Sequence, residues 1–577
     1  MKITMRTALI MSFILIFTYV MLPVPVSAAS LTYSNYEKAV DLKILGLLAN
    51  SPDNFELGRA PTRIEGAVML VRLLGKEMQA KQSKYTHPFA DVPAWADHYV
   101  GYMFHNGLTK GTGSSSFGSA ELISAKQYVT FVLRSLGYED KTDFDYNKAI
   151  DMAIQVGLLN DAEGSRLKKS ASFVRNDMVG ISYNALPLKL KASAQTLLDK
   201  LVNTDKAVFK PAAKALGLYT SDLAAELGNA GTYKSAVTTY GDVARNSRDL
   251  YMLIRKTLYN NDTQLKADIR NYSGNMKEDF TSVFNKASAA VTDITGVENF
   301  VSSWEYESNS QTLYLTVAYR YTKNDFTQRA QNAREALNKA RYTVARLITP
   351  AMSEYEKEKK LHDYIVNNTR YDYENYLKGT LPYSSFEEYG CLVLGAAVCE
   401  GYSKAMKLLC DLSGLECMII SGKMKTGSAS EGHAWNLVRI DGEYYHLDVT
   451  NDDPVSADGT DTLTYYYFNL SDNEMARTNT WTKSDYPACT SLENNYYHKN
   501  SLFVGNKSAF NKAVQAALEQ RISVIELKVS DYSKSNYADL TDMVFKAGPV
   551  RRISFSVNED LGVIRIYNIQ YLEQARL

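Results

Sequence analysis

The chain has 577 residues, of which 45% are hydrophobic and 22% are charged, and its 64 basic residues balance its 64 acidic ones. This balance argues against a nucleic acid or an anionic surface as a partner, and five cysteines are too few for a disulfide framework in a chain of this length. The length corresponds to about three or four domains at ~150 residues each, so we expect a multidomain protein.

Residues 1–29 have the features of a secretory signal peptide. A short basic start precedes an apolar stretch over 8–22, and small residues follow as far as Ala29. The apolar stretch is shorter than the ~20 residues that a membrane-spanning helix needs. We therefore favour cleavage after Ala28 or Ala29 over an uncleaved anchor, and no later segment is apolar enough to span a membrane.

Three similar segments follow, at about 31–80, 87–138 and 144–188. Each has an amphipathic helix that ends in glycine, then a loop and a second helix; the helix pairs are predicted at 36–46 and 63–75, at 99–107 and 125–137, and at 146–157 and 175–186. The pattern resembles three S-layer homology (SLH) repeats. The resemblance implies an all-α domain that anchors exported proteins by binding an acidic, often pyruvylated, secondary cell-wall polysaccharide.

The candidate polymer-binding residues lie where the second helices begin. Thr62 and Glu65 have the spacing of a capping box, so helix stability alone explains them, but it does not explain Arg63. A guanidinium beside a helix N-terminus suits a ligand carboxylate. We rank Arg63 first and Arg175 second, with Lys126 as a substitute in the second repeat; a solvated surface arginine is the alternative for Arg63.

The rest of the chain is expected to contain a helical linker at 189–239 and two small α+β modules at 240–350 and 500–577. Both modules have the order helix, strand, helix, strand, strand, at 248–259, 264–272, 278–289, 300–307 and 312–321 in the first and at 507–520, 523–529, 537–546, 552–557 and 563–569 in the second. Helices are also predicted at 326–347 and 353–367. Neither module has a cluster of residues that indicates a site.

Residues 351–499 contain the candidate nucleophile, Cys399. It lies where an apolar run over 392–398 meets a helical pattern that ends near Gly414. At a helix N-terminus, unpaired N–H groups and the helix dipole stabilise a thiolate.

His433 and Asp448 are the candidate base and its orienting carboxylate. Strands are predicted at 417–421, 433–440 and 443–449, with Asp441-Gly442 as a hairpin turn. This register places His433 opposite Thr450 and diagonal to Asp448, within reach of a hydrogen bond.

Each of these residues alone is more often a core or surface residue. Together, Val398-Cys-Glu-Gly-Tyr402, Gly432-His-Ala-Trp-Asn436 and Tyr445-His-Leu-Asp-Val-Thr450 resemble the bacterial transglutaminase-like (papain-like cysteine) superfamily, over about 353–499. The resemblance implies an α+β core, Cys399, His433 and Asp448 as a catalytic triad, and acyl transfer through a thioester. Whether water or an amine is the acceptor stays open, and we expect no cofactor and no metal.

Other residues near the triad are ambiguous. Trp435, Tyr389 and Tyr402 are candidate cleft residues, as are the tyrosines between 371 and 376, but burial or surface packing explains them equally well. Asn451 stands where many relatives have tryptophan, and we expect this departure to affect a pocket wall and not the triad. Asp452 and Asp453 precede a proline and are expected to form a solvated turn.

These predictions support two hypotheses. The favoured one is an exported, wall-attached cysteine enzyme, at the S-layer or cell surface, acting on peptide, isopeptide or glutamine side-chain amides in the envelope. The alternative is a catalytically inactive surface protein that binds or scaffolds. Cys410, Cys417 and Cys489 are expected in the core, with a disulfide between the last two left open.

Overall fold

A computed structural model describes residues 33–572, apart from 51, 171, 220–242, 245, 261, 271, 296–299, 320–322, 427–428 and 455–462. The predicted signal peptide and residues 220–239 of the predicted linker lie outside the described residues. Within these described ranges, no helix combines the length and the apolarity that crossing a membrane requires.

The N-terminal region is helical, and each predicted helix pair is formed. Glycines such as Gly46 and Gly137 follow the helices in the left-handed conformation, with φ of 75° and 93°. The helices are α1 (Tyr36–Ile44), α2 (Arg63–Leu73), α3 (Glu77–Gln82), α4 (Asp97–His105), α5 (Ala125–Ser135), α6 (Ala149–Gln155), α7 (Asp161–Lys169), α8 (Arg175–Ala185), α9 (Leu197–Asp199) and α10 (Lys210–Ala215).

The predicted repeats contact one another through the starts of their second helices. The backbone N–H of Arg63 in the first repeat donates to the carbonyl of Glu121 in the second, at 2.8 Å, and that of Arg175 in the third donates to the carbonyl of Arg59 in the first, at 2.9 Å. One apolar cluster runs through all three segments. The polymer-binding candidates Arg63 and Arg175 therefore lie at boundaries between repeats.

The first α+β module has the predicted order of elements. Its sheet is antiparallel, with strand order β1-β3-β2, and its two helices cover one face of that sheet. The elements are α11 (Ser247–Asn260), β1 (Gln264–Asp268), α12 (Met276–Thr295), β2 (Phe300–Glu307) and β3 (Thr312–Tyr319).

The central region has an α+β core in which a long helix packs against a four-stranded sheet of order β8-β7-β6-β9. A separate parallel pair, β4 and β5, precedes that helix. The elements are α13 (Lys323–Leu347), α14 (Glu354–Asn368), β4 (Arg370–Tyr371), α15 (Tyr373–Lys378), β5 (Ala396–Ala397), α16 (Cys399–Ser413), β6 (Cys417–Thr426), β7 (Ala429–Ile440), β8 (Glu443–Leu447), α17 (Asp472–Met475), β9 (Asn479–Thr480) and α18 (Tyr496–Lys499).

The second α+β module repeats the strand order of the first and adds one short strand. Its sheet has the order β10-β11-β13-β12, so the last three strands match β1-β3-β2. The elements are β10 (Phe503–Val504), α19 (Lys507–Glu519), β11 (Ile525–Val529), α20 (Leu540–Ala547), β12 (Val550–Asn558) and β13 (Val563–Tyr571).

Helix α13 joins the first repeat to the central core. Nε of Arg341 lies 2.9 Å from Oδ1 of Asp41 on α1, and the ring of Tyr342 stacks on Tyr36 with centroids 6.2 Å apart. Val344, also on α13, belongs to the apolar cluster of the central core. The helix is thus held on both sides.

The predicted hairpin connects β7 and β8. Ile440 pairs with Glu443, and the two turn residues, Asp441 and Gly442, have φ of 52° and 92°. Positive φ at both positions is typical of the tight turn that matches strand twist.

The second strand of this hairpin is shorter than predicted. The last pair joins Asn436 to Leu447, and the chain then turns at Asp448. His433 is therefore not paired with Thr450, and its contact with Asp448 is made across the end of the strand.

Residues 465–470 do not form a strand. The segment makes turns, and Leu470 alone bridges to His446, with both backbone hydrogen bonds at 2.9 Å. The backbone N–H of Tyr467 donates to the Asp452 carboxylate at 2.8 Å instead of to a neighbouring strand.

Candidate active site

Cys399 is the first residue of α16, as predicted. The preceding residue, Val398, is extended, with φ of −104° and ψ of 176°, and its N–H donates to the carbonyl of Ser385 at 2.8 Å. The helix start fits here because residue 401 is glycine; a Cβ at Gly401 would lie 2.6 Å from the Ser385 carbonyl oxygen. The Cys399 side chain thus lies beside unpaired N–H groups at the positive end of the helix dipole.

His433 and Asp448 form a buried hydrogen-bonded pair. Nε2 of His433 lies 2.7 Å from Oδ2 of Asp448, and the two side chains are 8% and 1% exposed. Burial disfavours a charged imidazole, but the Asp448 carboxylate and the hydrogen-bonded Cys399 side chain outweigh it and raise the pKa of His433 to about 10. His433 is therefore an imidazolium at neutral pH.

The fold brings the three predicted triad residues together. Cys399 hydrogen-bonds to His433, and since Nε2 is bound to Asp448, Nδ1 is the ring nitrogen left for the sulfur. A cysteine hydrogen-bonded to a histidine that is itself held by a carboxylate is the arrangement of a nucleophile with its proton carrier. The arrangement suits nucleophilic attack on a carbonyl carbon.

The remaining cysteines are core residues. All five cysteines are free, Cys399 is half-buried, and the other four are buried. Cys417 and Cys489 form no disulfide. Burial raises the pKa of Cys391 to about 12 and that of Cys410 well above its usual range, so these two are poor nucleophiles.

Asn451 touches the triad, which corrects the expectation drawn from the sequence. Its amide nitrogen lies 2.6 Å from Oδ2 of Asp448, and its backbone N–H donates to Oδ1 of the same carboxylate at 3.2 Å. The residue lies within the turn that follows β8, whereas the predicted strand continued to 449.

Asp452 and Asp453 are buried, so the expected solvated turn is wrong. Asp452 is 0% exposed and its Oδ2 lies 3.2 Å from Nε2 of His362 on α14. Asp453 accepts a hydrogen bond from the Tyr402 hydroxyl. Burial raises the pKa of Asp452 to about 6, although His362 opposes the shift.

The three candidate cleft residues have different surroundings. Trp435 is fully buried; its ring stacks on His433 with centroids 5.9 Å apart, so it contacts the triad from the core side. Tyr402 is also buried, and Tyr389 interacts with Glu335 of α13. Tyr402 is therefore a core residue, and Tyr389 points towards α13.

Tyr371 and Tyr376 both interact electrostatically with Cys399, and Glu431 interacts with both tyrosines. Burial, followed by the charge of Cys399, raises the pKa of Tyr371. The Tyr376 hydroxyl donates to Oε2 of Glu431 at 2.7 Å, and Tyr376 is 39% exposed. Our sequence reasoning did not include Glu431, but strand alternation from His433 would have placed it on the same face.

One group of possible metal ligands was found among the described residues. Ligand atoms of His446, Asp472 and Cys489 lie within 4.8 Å of one another. The Trp435 indole N–H donates to Nδ1 of His446 at 2.9 Å, so a neutral His446 has its proton on Nε2, which lies 2.9 Å from Oδ1 of Asp472. A protonated Nε2 cannot bind a metal, so this arrangement favours a hydrogen-bonded network.

Arg63 is buried and not solvated, which overturns the alternative considered for it. It is 5% exposed, and its guanidinium carbon lies 5.1 Å and 4.9 Å from the ring centroids of Phe117 and Phe131. Within the described ranges its Nε has no hydrogen-bond partner. Burial lowers the pKa of Arg63, and an anionic ligand would compensate for that burial.

Arg175 and Lys126 have protein partners. Nε of Arg175 donates to the carbonyl of Phe55 at 3.0 Å, and its Nη1 lies 3.8 Å from Glu65. Nζ of Lys126 donates to Oδ1 of Asn147 at 3.1 Å. Arg63 is thus the candidate with the clearest unused donor.

Comparisons with known proteins match one region of the chain to a family and part of the chain to cell-surface proteins. Residues 341–449 match the transglutaminase-like superfamily. The chain is 28% identical over 162 residues to the middle cell wall protein of Brevibacillus brevis and 32% identical over 107 residues to the surface layer protein of Brevibacillus choshinensis. These matches cover 27% and 18% of this chain.

The chain spans only 15% and 10% of the length of those two relatives. Among solved structures, a crystal structure described as a TGase is 18% identical, covering 38% of this chain and 62% of that one, with a TM-score of 0.18. The family match at 341–449 includes Cys399, His433 and Asp448. The chain therefore contains a transglutaminase-like domain, and part of it is similar to cell-wall and surface-layer proteins.

Proposed function

We propose that this chain is an exported cysteine enzyme of the cell wall that transfers acyl groups through a thioester. The observation that carries the proposal is the buried pair of His433 and Asp448, 2.7 Å apart, hydrogen-bonded to a cysteine at a helix start. These groups supply a nucleophile, a proton carrier and an orienting carboxylate. The acyl donors are peptide, isopeptide or glutamine side-chain amides.

The first half of the reaction forms the thioester. The Cys399 thiolate attacks the amide carbonyl carbon, and the negative charge that develops on oxygen is stabilised by the Cys399 backbone N–H, which has no acceptor within its helix. As the C–N bond breaks, the His433 imidazolium gives its proton to the departing amine. The carbonyl carbon is then bonded to sulfur, and His433 is neutral.

The second half releases the acyl group. Water or an amine attacks the thioester, His433 takes the proton of the attacking group, and the C–S bond breaks to restore the thiolate. We place the approach of the acceptor beside Tyr376, which interacts with Cys399 and is 39% exposed. Both acceptors balance the reaction, so an assay has to distinguish hydrolysis from cross-linking.

Alkylation with iodoacetamide tests the activated cysteine. At pH 6 we expect Cys399 to react about 10-fold or more faster than Cys410, since the thiolate is the reactive form, with each site quantified by mass spectrometry of peptides. A Cys410→Ala variant is the matched control and should leave the rate at Cys399 unchanged. If Cys399 reacts no faster than free cysteine, the enzyme proposal fails and a binding or scaffolding role gains support.

Incorporation of monodansylcadaverine into cell-wall extracts separates the two acceptors. Labelling by wild type but not by Cys399→Ala would support amine transfer. Peptide release that depends on Cys399, without labelling, would support hydrolysis. Loss of neither signal in Cys399→Ala would overturn acyl transfer by this residue.

We further propose that the helical N-terminal region anchors the protein by binding an acidic wall polysaccharide at Arg63, with Arg175 and Lys126 contributing. The buried Nε of Arg63, which has no hydrogen-bond partner among the described residues, supports this proposal. The double variant Arg63→Ala/Arg175→Ala should be retained less on purified cell walls than wild type. Arg63→Lys keeps the positive charge but not the planar guanidinium, so its retention shows which of the two the polymer needs. Arg166→Ala, which changes an exposed arginine on α7, is the control. Equal retention of every variant, before and after the acidic polymer is removed, would refute the proposal.

A further inference from the structure

Asp448 needs support that the sheet does not provide. Strand β8 ends at Leu447, so the catalytic carboxylate lies just beyond the last strand pair. Its backbone N–H donates to the carbonyl of Tyr467 at 3.2 Å, which fixes the main chain but does not set the plane of the carboxylate. Something else must hold the carboxylate towards His433.

We infer that Asn451 is a positioning residue of the triad, and that it acts by sharing one carboxylate oxygen of Asp448 with His433. This inference rests on the proposed role of the triad. The Asn451 amide lies 2.6 Å from Oδ2, the oxygen that also lies 2.7 Å from Nε2 of His433. Because a carboxylate oxygen only accepts, the amide atom at this distance is the nitrogen.

Asn451 holds both oxygens of the carboxylate. Its backbone N–H donates to Oδ1 at 3.2 Å while its side chain donates to Oδ2. Two donors from one residue fix the plane of the carboxylate in a turn where no strand pairing does so. The same amide lies 3.5 Å from the sulfur of Met424, which limits where it can move.

Sharing Oδ2 also affects the proton on His433. A hydrogen bond from Asn451 draws negative charge from the oxygen that stabilises the imidazolium, so the amide weakens the hold of Asp448 on that proton. The charged or titratable groups that interact with His433 are Asp448 and Cys399. Those that face Asp448 are His433, His446, Asp452 and Tyr467. Replacing Asn451 leaves the identity and the number of these titratable groups unchanged.

The pH dependence of Cys399 alkylation tests the inference without a known substrate. In wild type the rate should change in two steps, the first as the thiolate forms and the second as His433 loses its proton. In Asn451→Leu, the second step should move upward by about one pH unit, and alkylation near neutral pH should slow because the carboxylate is held less firmly. Asn451→Asp, which has nearly the same shape but adds a negative charge, should move the step further upward.

Two comparisons keep the test specific. Asn479→Leu makes the same change at a buried asparagine paired with Met424 on the neighbouring strand, and it should leave both steps in place. Asn451→Gln keeps an amide donor and should shift the second step less than Asn451→Leu does.

If Asn451→Leu and Asn451→Asp keep the wild-type steps while wild-type Cys399 remains faster than Cys410, the inference is wrong but the enzyme proposal stands. If wild-type Cys399 is itself slow, the enzyme proposal fails first.

Discussion

The two α+β modules have the same strand order but different surroundings. In the first module, the helices cover the sheet face that carries Leu265 and Ala267, and Lys266 on the opposite face is exposed. In the second module, the helices cover the corresponding face, but Lys528 on the opposite face is buried and paired with Glu474 on α17 of the central region. The same strand order thus occurs in the first module, whose outer sheet face is exposed at Lys266, and in the second module, whose outer face is covered by the central region.

The shared core reaches the candidate active site. Leu561, two residues before β13, and Val563, its first residue, belong to one apolar cluster with Trp435, whose ring stacks on His433. Among the described residues, the apolar cluster of the first module contains residues of that module alone. The same strand order therefore occurs in one module that packs into the cluster around Trp435 and in one whose cluster is its own.

The largest expected effect comes from breaking the buried ion pair of the second module. Lys528 and Glu474 have side chains that are 4% and 10% exposed, so Lys528→Met leaves a buried carboxylate without its partner. We expect the free energy of unfolding to fall by about 3–5 kcal/mol in urea titrations. Lys266→Met, on the exposed face of the first module, should change it by no more than about 0.5 kcal/mol.

A second replacement tests the reason for that loss. Lys528→Met/Glu474→Gln removes the uncompensated charge and keeps a side chain able to bond to Ser471, so it should recover most of the stability. If Lys528→Met is no more harmful than Lys266→Met, the two outer faces do not differ as described.

A cavity in each module tests whether only the second one influences the triad. Leu561 and Leu315 are each 1% exposed, and replacing either by alanine should cost about 2–5 kcal/mol of unfolding free energy. Only Leu561→Ala should also slow iodoacetamide alkylation of Cys399, because Leu561 packs in the cluster that holds Trp435. Equal alkylation rates in both variants at a temperature where both are folded would contradict this coupling.

Sequence reasoning works well where structure is decided locally. The start of α16 at Cys399, the capping box of Thr62 and Glu65 and the turn at Asp441 depend on residues within a few positions of each other, and all three are formed as predicted. The order of elements in both modules follows from periodicity and turn residues. Element ends were less accurate, because the 443–449 strand stops where a distant segment takes over its hydrogen bonds.

The parts of the site that sequence reasoning missed depend on distant partners. Asp452 has the local pattern of a solvated turn, yet it is buried against His362, 90 positions earlier in the chain. Asn451 was expected to form a pocket wall, because nothing in the sequence indicates that the chain turns before it and aims its amide at Asp448. The covering of Lys528 also depends on a contact with Glu474, 54 positions away.

The smallest effect concerns pH and the half-buried carboxyl group of Glu526, two residues before Lys528 on β11. Burial raises the pKa of Glu526, and the Tyr497 hydroxyl at 2.8 Å and the nearby Arg565 offset this only in part. The folded state therefore holds the proton of Glu526 more tightly than the unfolded state does. The contribution of this group to stability is fully present below its unfolded pKa of about 4.3, and it is lost as pH rises through the raised pKa of the folded state. The loss amounts to about 1.4 kcal/mol for each unit by which the pKa is raised. Glu526→Gln should flatten that part of the stability curve in urea titrations between about pH 4 and 8, whereas Glu305→Gln, at an exposed position on β2 of the first module, should leave the curve unchanged. Identical curves for wild type and Glu526→Gln would mean that the covered face of the second module is as hydrated as the open face of the first.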